Sequence, residues 1–166
     1  ALELHFQNFH QHEVLARESR DVLLDQAGFG TVEFHDDRFT VKSVQNHPIP
    51  GYILSNGLDS HGRVIAFVFT DNDTSDDADG TSFESFGIQT SLNVTMLERG
   101  HAYPAFYSSL PKELRAYLKD IVVQARASGL GLWSNDATMN ANISGPDQLQ
   151  TLAIWPKLFR RLVSFY

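Results

Sequence analysis

Apolar and polar positions along this chain follow periods that change several times, and each change marks an element. From Gln11 to Gln26 the period is helical: Val14 and Leu15 recur about two turns later as Val22 and Leu23. Glu13, Arg17 and Asp21 stand at the i, i+4 spacing that suits surface ion pairs. Ala27-Gly28-Phe29-Gly30 ends this helix. Four β-type segments follow: Thr31–Phe34, Phe39–Val44, Gly51–Ser55 and Val64–Thr70. Asp36-Asp37 and Asn56-Gly57 mark turns between them, and His47-Pro48-Ile49-Pro50 reads as extended chain. In the last segment Ile65, Phe67 and Phe69 interleave with Val64, Ala66 and Val68. Both faces are apolar, the pattern of a central strand.

Beyond Thr70 the periodicity stops. Asp71 to Phe86 is rich in Asp, Ser, Thr and Gly, and Asp77-Ala78-Asp79-Gly80 invites comparison with a calcium-binding EF-hand loop. With Gly80 at the loop's sixth position, its twelfth falls on Phe86, where a bidentate glutamate is required. The match fails, and the segment reads as a solvated acidic loop. Helical spacing returns at Ser91–Arg99, with Ser91 as N-cap and Gly100 past the end. A longer helix starts near Pro111, shows one apolar face through Leu114, Leu118, Ile121, Val122 and Ala125, and stops at Gly129. Asp136 to Asp147 is polar and loose. The tail from Ile154 to Val163 mixes apolar with basic residues and reads as a helix that packs back on the domain, rather than one lying on a membrane or a partner.

At 166 residues the chain fits one domain with a sizeable core. Its composition, 42% hydrophobic and 20% charged, is that of a globular protein, and no apolar run is long enough to span a bilayer, so no membrane partner is expected. Cysteine is absent, which removes disulfides, thiol chemistry and cysteine metal sites. It leaves the compartment open, secreted and periplasmic locations included. The chain starts at Ala1 without a visible signal peptide, so its N-terminus reads as cut or processed. A formal charge of −7 argues against a protein that coats nucleic acid, although a local basic face can coexist with an acidic total.

Gly-rich phosphate loops, HExxH and G-x-S-x-G motifs are all missing. The 7 histidines are scattered without ligand spacing and read as surface residues. The more specific signal is Asp59-Ser60-His61-Gly62-Arg63, a tight turn feeding an apolar strand. An arginine at the first residue of such a strand is held by a rigid element while its guanidinium projects from the rim, as a phosphate clamp requires.

That turn, with Gly51-Tyr52-Ile53-Leu54 before it and Val64-Ile65-Ala66-Phe67-Val68-Phe69 after it, resembles the staphylococcal nuclease family, in which a D-x-Y-G-R turn carries a catalytic arginine. The resemblance continues in order. Ser91 to Tyr103 looks like the family's short helix and its exit, Leu114–Ser128 like its last helix, and Gly129-Leu130-Gly131-Leu132-Trp133-Ser134 like its closing G-L-W motif. Ala1-Leu2-Glu3-Leu4 resembles the family's D-T-P-E segment without its leading Asp.

The resemblance implies an α+β fold, an OB-fold-like small β-barrel with three helices, incomplete at its N-terminus. Residues 1–135 would form this domain, and 136–166 an extension packed on it. The implied function of the complete parent domain is calcium-dependent hydrolysis of DNA or RNA phosphodiesters, making it a nuclease in its full form. Glu3 matches the general base and Arg63 a phosphate-gripping catalytic arginine. Ala1 corresponds to a backbone carbonyl ligand of Ca2+, whose other ligands, with a second arginine, would lie upstream. His61 replaces the family's turn tyrosine, and Tyr103, Phe106 and Tyr107 stand where the nucleotide is stacked or hydrogen-bonded, or else pack into the core. The 166 residues alone are therefore expected to be inactive and to need the missing N-terminal segment. The alternatives are a non-catalytic nuclease-like module that binds nucleic acid or protein, and a purely structural α+β domain.

Overall fold

The structure, a computed structural model, describes residues 2, 6–70, 87–107 and 110–166, with Asn56 described through its backbone only. The acidic segment Asp71–Phe86 lies outside these residues.

Helix α1 (Glu13–Gln26) starts two residues later than its periodicity suggests, with His12 as N-cap. The apolar residues that set its period divide, with Leu15 half-buried against Ala16 and its neighbours. Val14 and Leu23 are exposed, whereas Ala16 and Ser19 are buried. Small side chains let neighbouring backbone approach, so close packing rather than apolar bulk selects the inward face. Strands β1 (Val32–Phe34) and β2 (Val41–Val44) pair antiparallel. This hairpin is tied to α1 by Arg20, whose guanidinium lies 3.8 Å from the centre of the Phe34 ring and donates to the Arg38 carbonyl at 2.7 Å.

Strands β3 (Gly51–Leu58) and β4 (Val64–Thr70) form a second antiparallel pair, in which Tyr52 and Phe69 face each other and stack with ring centres 4.6 Å apart. The apolar pattern of β4 predicts a central strand, but among the described residues β3 is its single strand partner. Its other edge is met by a side chain. Asn93, on helix α2 (Leu92–Glu98), accepts from the Val68 amide at 2.9 Å and donates to the Ala66 carbonyl at 3.1 Å. A carboxamide carries an N–H donor and a carbonyl acceptor side by side, as a peptide group does, so it can occupy the place of a neighbouring strand.

Phe69 then packs in one core with Ile88, Val94, Leu97, Leu114 and Leu118, the last two from helix α3 (Lys112–Ala127). The α3 face is the one its spacing predicts. Ser91 caps α2 by accepting from the Val94 amide, also as expected. Where α2 ends, two glycines allow backbone to cross backbone. Gly100 and Gly131 both have positive φ, the Leu132 amide donates to the Gly100 carbonyl at 3.0 Å, and a Cβ on Gly100 would lie 2.2 Å from the Leu130 carbonyl oxygen.

The tail continues through helices α4 (Pro146–Leu149) and α5 (Pro156–Phe165). Leu149, Ile154, Phe159 and Val163 form a separate buried cluster, with Phe6 and Phe9 packed against it. Each such side chain contributes roughly 1.5–3 kcal/mol by burial. Residues 136 and 137 run beside Ala153, whose carbonyl accepts from the Ala137 amide at 2.8 Å. Buried Gln11 donates to the Ile154 carbonyl from before α1.

The architecture is α+β, and among the described residues it comprises five α-helices with two separate two-stranded antiparallel sheets. Among the described residues no sheet closes into a barrel. β3 and β4 pair with each other, and the second sheet docks on α1 instead of extending them. No helix among these residues is long and apolar enough to cross a membrane.

Candidate functional site

The turn between β3 and β4 is built around one carboxylate. Asp59 Oδ1 accepts from the His61 amide at 2.8 Å and the Arg63 amide at 3.0 Å, closing the turn on its own side chain. The Gly62 amide donates to the Asp59 carbonyl at 3.0 Å, and Gly62 takes the φ of 77° that the chain reversal requires. Asp59 Oδ2 then accepts from Arg63 Nε at 2.7 Å and lies 2.6 Å from Nη2. The Arg63 guanidinium, followed by the two backbone donors, holds the Asp59 carboxyl down at about 2. One edge of the guanidinium is thus fixed, while the Arg63 side chain remains 65% exposed. An oriented, always-charged donor at the rim of a rigid hairpin is suited to an anionic oxygen.

Arg63 opens on a groove of about 1400 Å3, floored by the β3–β4 pair and walled by α2 and the chain that leaves it. Tyr103, Phe106 and Tyr107 line the same groove, so the structure brings four of the sequence-predicted residues to one surface. Phe106 and Tyr107 are partly exposed there. His61 is on the turn itself, exposed, with Nδ1 3.3 Å from Ser60 Oγ, and does not line the groove. Glu3 and Ala1 lie outside the described residues.

Tyr103 has a second engagement that its sequence position does not reveal. Its hydroxyl donates to Asp136 Oδ1 at 2.8 Å, and its ring meets Trp133 edge-on with centres 5.0 Å apart. Burial first, and the Asp136 carboxylate second, push the phenol well above the ordinary tyrosine range. It stays a neutral donor at any physiological pH. Asp136 also accepts from the Thr138 amide at 3.2 Å and lies 3.6 Å from Arg126 Nη2. Tyr103 therefore joins the groove wall to the start of the tail.

The staphylococcal nuclease homologue family matches residues 10–135. The chain belongs to that family. No curated protein and no solved structure matches it. The matched stretch contains the Asp59–Arg63 turn, the aromatic wall and the two crossing glycines, and its boundaries exclude both Glu3 and helices α4 and α5. Membership points to a nuclease-like domain, and the family's affinity for nucleic acid agrees in chemistry with an arginine beside an aromatic groove.

The calcium implied by the family finds no matching donor set among the described residues. Calcium takes about six to eight oxygen ligands, several from carboxylates. Among the described residues no three histidine, aspartate or glutamate side chains converge, and Asp59 is committed to Arg63. The residue that sequence reading passed over is Asp59. Its signal was an aspartate and an arginine four apart across a glycine turn.

Proposed function

We propose that the complete domain hydrolyses phosphodiester bonds of DNA or RNA, with Arg63 as the residue that grips the scissile phosphate. The supporting observation is the Asp59–Arg63 turn, which fixes a guanidinium among the residues lining a groove that Tyr103, Phe106 and Tyr107 also line. In phosphodiester cleavage negative charge builds on the phosphoryl oxygens, and a guanidinium aimed there in advance stabilises the transition state. Phe106 and Tyr107 offer ring faces on which bases stack. His61 adds an exposed imidazole on the turn. Glu3 is the candidate general base, orienting or deprotonating the attacking water.

In this reading the Ala1 carbonyl is one calcium ligand, and the remaining calcium ligands with a second arginine belong to an N-terminal segment of the same domain. β3 and β4 are two strands of a small OB-type barrel that this segment completes, residues 1–135 form that domain, and 136–166 are an extension. The family match over 10–135 and the separate apolar cluster of the tail support the division.

The test pairs binding with cleavage. Oligonucleotide binding by the 166-residue chain, weakened by Arg63→Ala, supports the reading. Calcium-stimulated cleavage by these residues alone overturns the placement of the other catalytic groups elsewhere. The alternative reading is a nuclease-like module that binds nucleic acid or protein without cutting. It is upheld if the full-length protein binds but does not cleave with calcium present.

A further inference from the structure

Three consecutive residues of the tail meet the stretch from Leu2 to His12, in which Glu3 is the candidate general base. The Leu152 carbonyl accepts from the His12 amide at 3.2 Å, and the Ile154 carbonyl accepts from the side chain of fully buried Gln11. Ala153, between them, shares a buried cluster with Leu2 and with Ala16 of α1. Phe6 and Phe9 pair across a tight turn through Gln7 and Asn8, whose φ values of 52° and 74° are costly for residues other than glycine. Such a turn persists where its surroundings hold it, and Phe6 and Phe9 pack on the tail cluster that contains Phe159. Glu3 lies outside the described residues, with buried Leu2 before it and Phe6 after it. Tyr103, which lines the groove with Arg63, packs against the Leu2 cluster as well. The tail side of this clasp, with Leu2 and Phe6, falls outside the family match at residues 10–135.

We propose that the tail positions Glu3, with Phe159, Ala153 and Gln11 as positioning residues that set the flanking chain against the wall of the Arg63 groove. This rests on the reading of Glu3 as general base. Such a base must stand within hydrogen-bond reach of the attacking water, and a displacement of about 1 Å costs on the order of 100-fold in rate. Leu2 adjoins Glu3 in the chain, so whatever holds Leu2 limits where the Glu3 backbone can go. The tail acts without touching substrate.

The experiment is a double-mutant cycle in the full-length protein, read by cleavage kinetics well below the melting midpoint and by amide hydrogen exchange. Phe159→Leu and Phe159→Ala should lower kcat about 10- to 100-fold with KM unchanged. In a Glu3→Gln background neither should lower it further, because a group that acts through Glu3 has nothing to act on once the carboxylate is gone. Exchange of the His12 amide, which bonds the tail, should quicken in both variants while β3, β4 and α3 keep their protection. Phe165→Ala, exposed on the same helix, should match the wild type. Where Phe159→Ala does not fold, Phe159→Leu decides. Equal losses of kcat in the two backgrounds, or unchanged kcat or unchanged His12 exchange in a folded Phe159 variant, overturn the positioning role and leave Glu3 as the base. Full activity of Glu3→Gln overturns the Glu3 reading and this inference with it.

Discussion

Two aspartates, Asp59 and Asp136, each sit beside an arginine and are both largely covered, at 10% and 5% side-chain exposure. They serve opposite ends. Asp59 draws every partner given above from its own turn, and its arginine lies within hydrogen-bonding distance but points outward. Asp136 draws its shortest long-range bond from Tyr103, 33 residues away, and its arginine stands back at 3.6 Å. A local network aims one charged group at solvent and so prepares it for a ligand. A long-range network spends its donors inside the fold and joins two parts of the chain. The first should govern binding and rate, the second stability.

The sharpest way to break that contrast is Arg63→Ala. In the catalytically complete domain it should lower turnover by about 10²–10³, while folding stability moves by no more than about 0.5 kcal/mol. Single-turnover cleavage and urea melts measure the two, and a large loss of stability with little change in rate would reverse the assignment. Asp136→Ala should do the opposite. It strands the Tyr103 hydroxyl and removes the acceptor of Thr138, for a loss of roughly 2–3 kcal/mol in denaturant unfolding. Tyr103→Phe removes one of these bonds and keeps the ring on Trp133, so about 1 kcal/mol should be lost while oligonucleotide affinity is retained.

The smallest effect concerns pH. His101, buried beside Ser19 where α2 ends, has its pKa lowered by burial, with Glu18 opposing and Arg99 reinforcing the shift. A lowered histidine binds fewer protons folded than unfolded, so its contribution is complete above the ordinary value of 6.5 and is lost as pH falls below it. Asp59 shows the same direction lower down, its contribution lost between 3.8 and about 2. Urea midpoints at neutral and mildly acidic pH should therefore converge in His101→Gln, while the Asp59 turn remains intact over that range. Equal pH dependence in the variant and the wild type would remove His101 as the source.

Legibility in the sequence followed the range of the interaction. The N-cap at Ser91, the apolar face of α3 and the turn ahead of β4 depend on residues within a few positions of one another, and each was readable. The inward face of α1 was not given by its period, because Ala16 and Ser19 are selected by how closely neighbouring chain approaches, which hydropathy does not encode. The central-strand pattern of β4 was misread for a related reason. Apolarity on both faces does not ensure burial on both, since Val64 and Val68 are exposed, nor a strand on each side, since Asn93 meets one edge.

By itself, then, the sequence determined the Asp59–Arg63 turn, because an aspartate and the amides two and four residues on can find one another without any other part of the chain. It also carried the ordered motifs of the nuclease family. Only the tertiary structure decided that Tyr103, Phe106 and Tyr107 share a groove with Arg63, that the Tyr103 hydroxyl belongs to Asp136, and that the tail meets Leu2 and Gln11. Those outcomes depend on how separate apolar clusters pack, and no local spacing specifies the relation between residues 2, 63, 103 and 153.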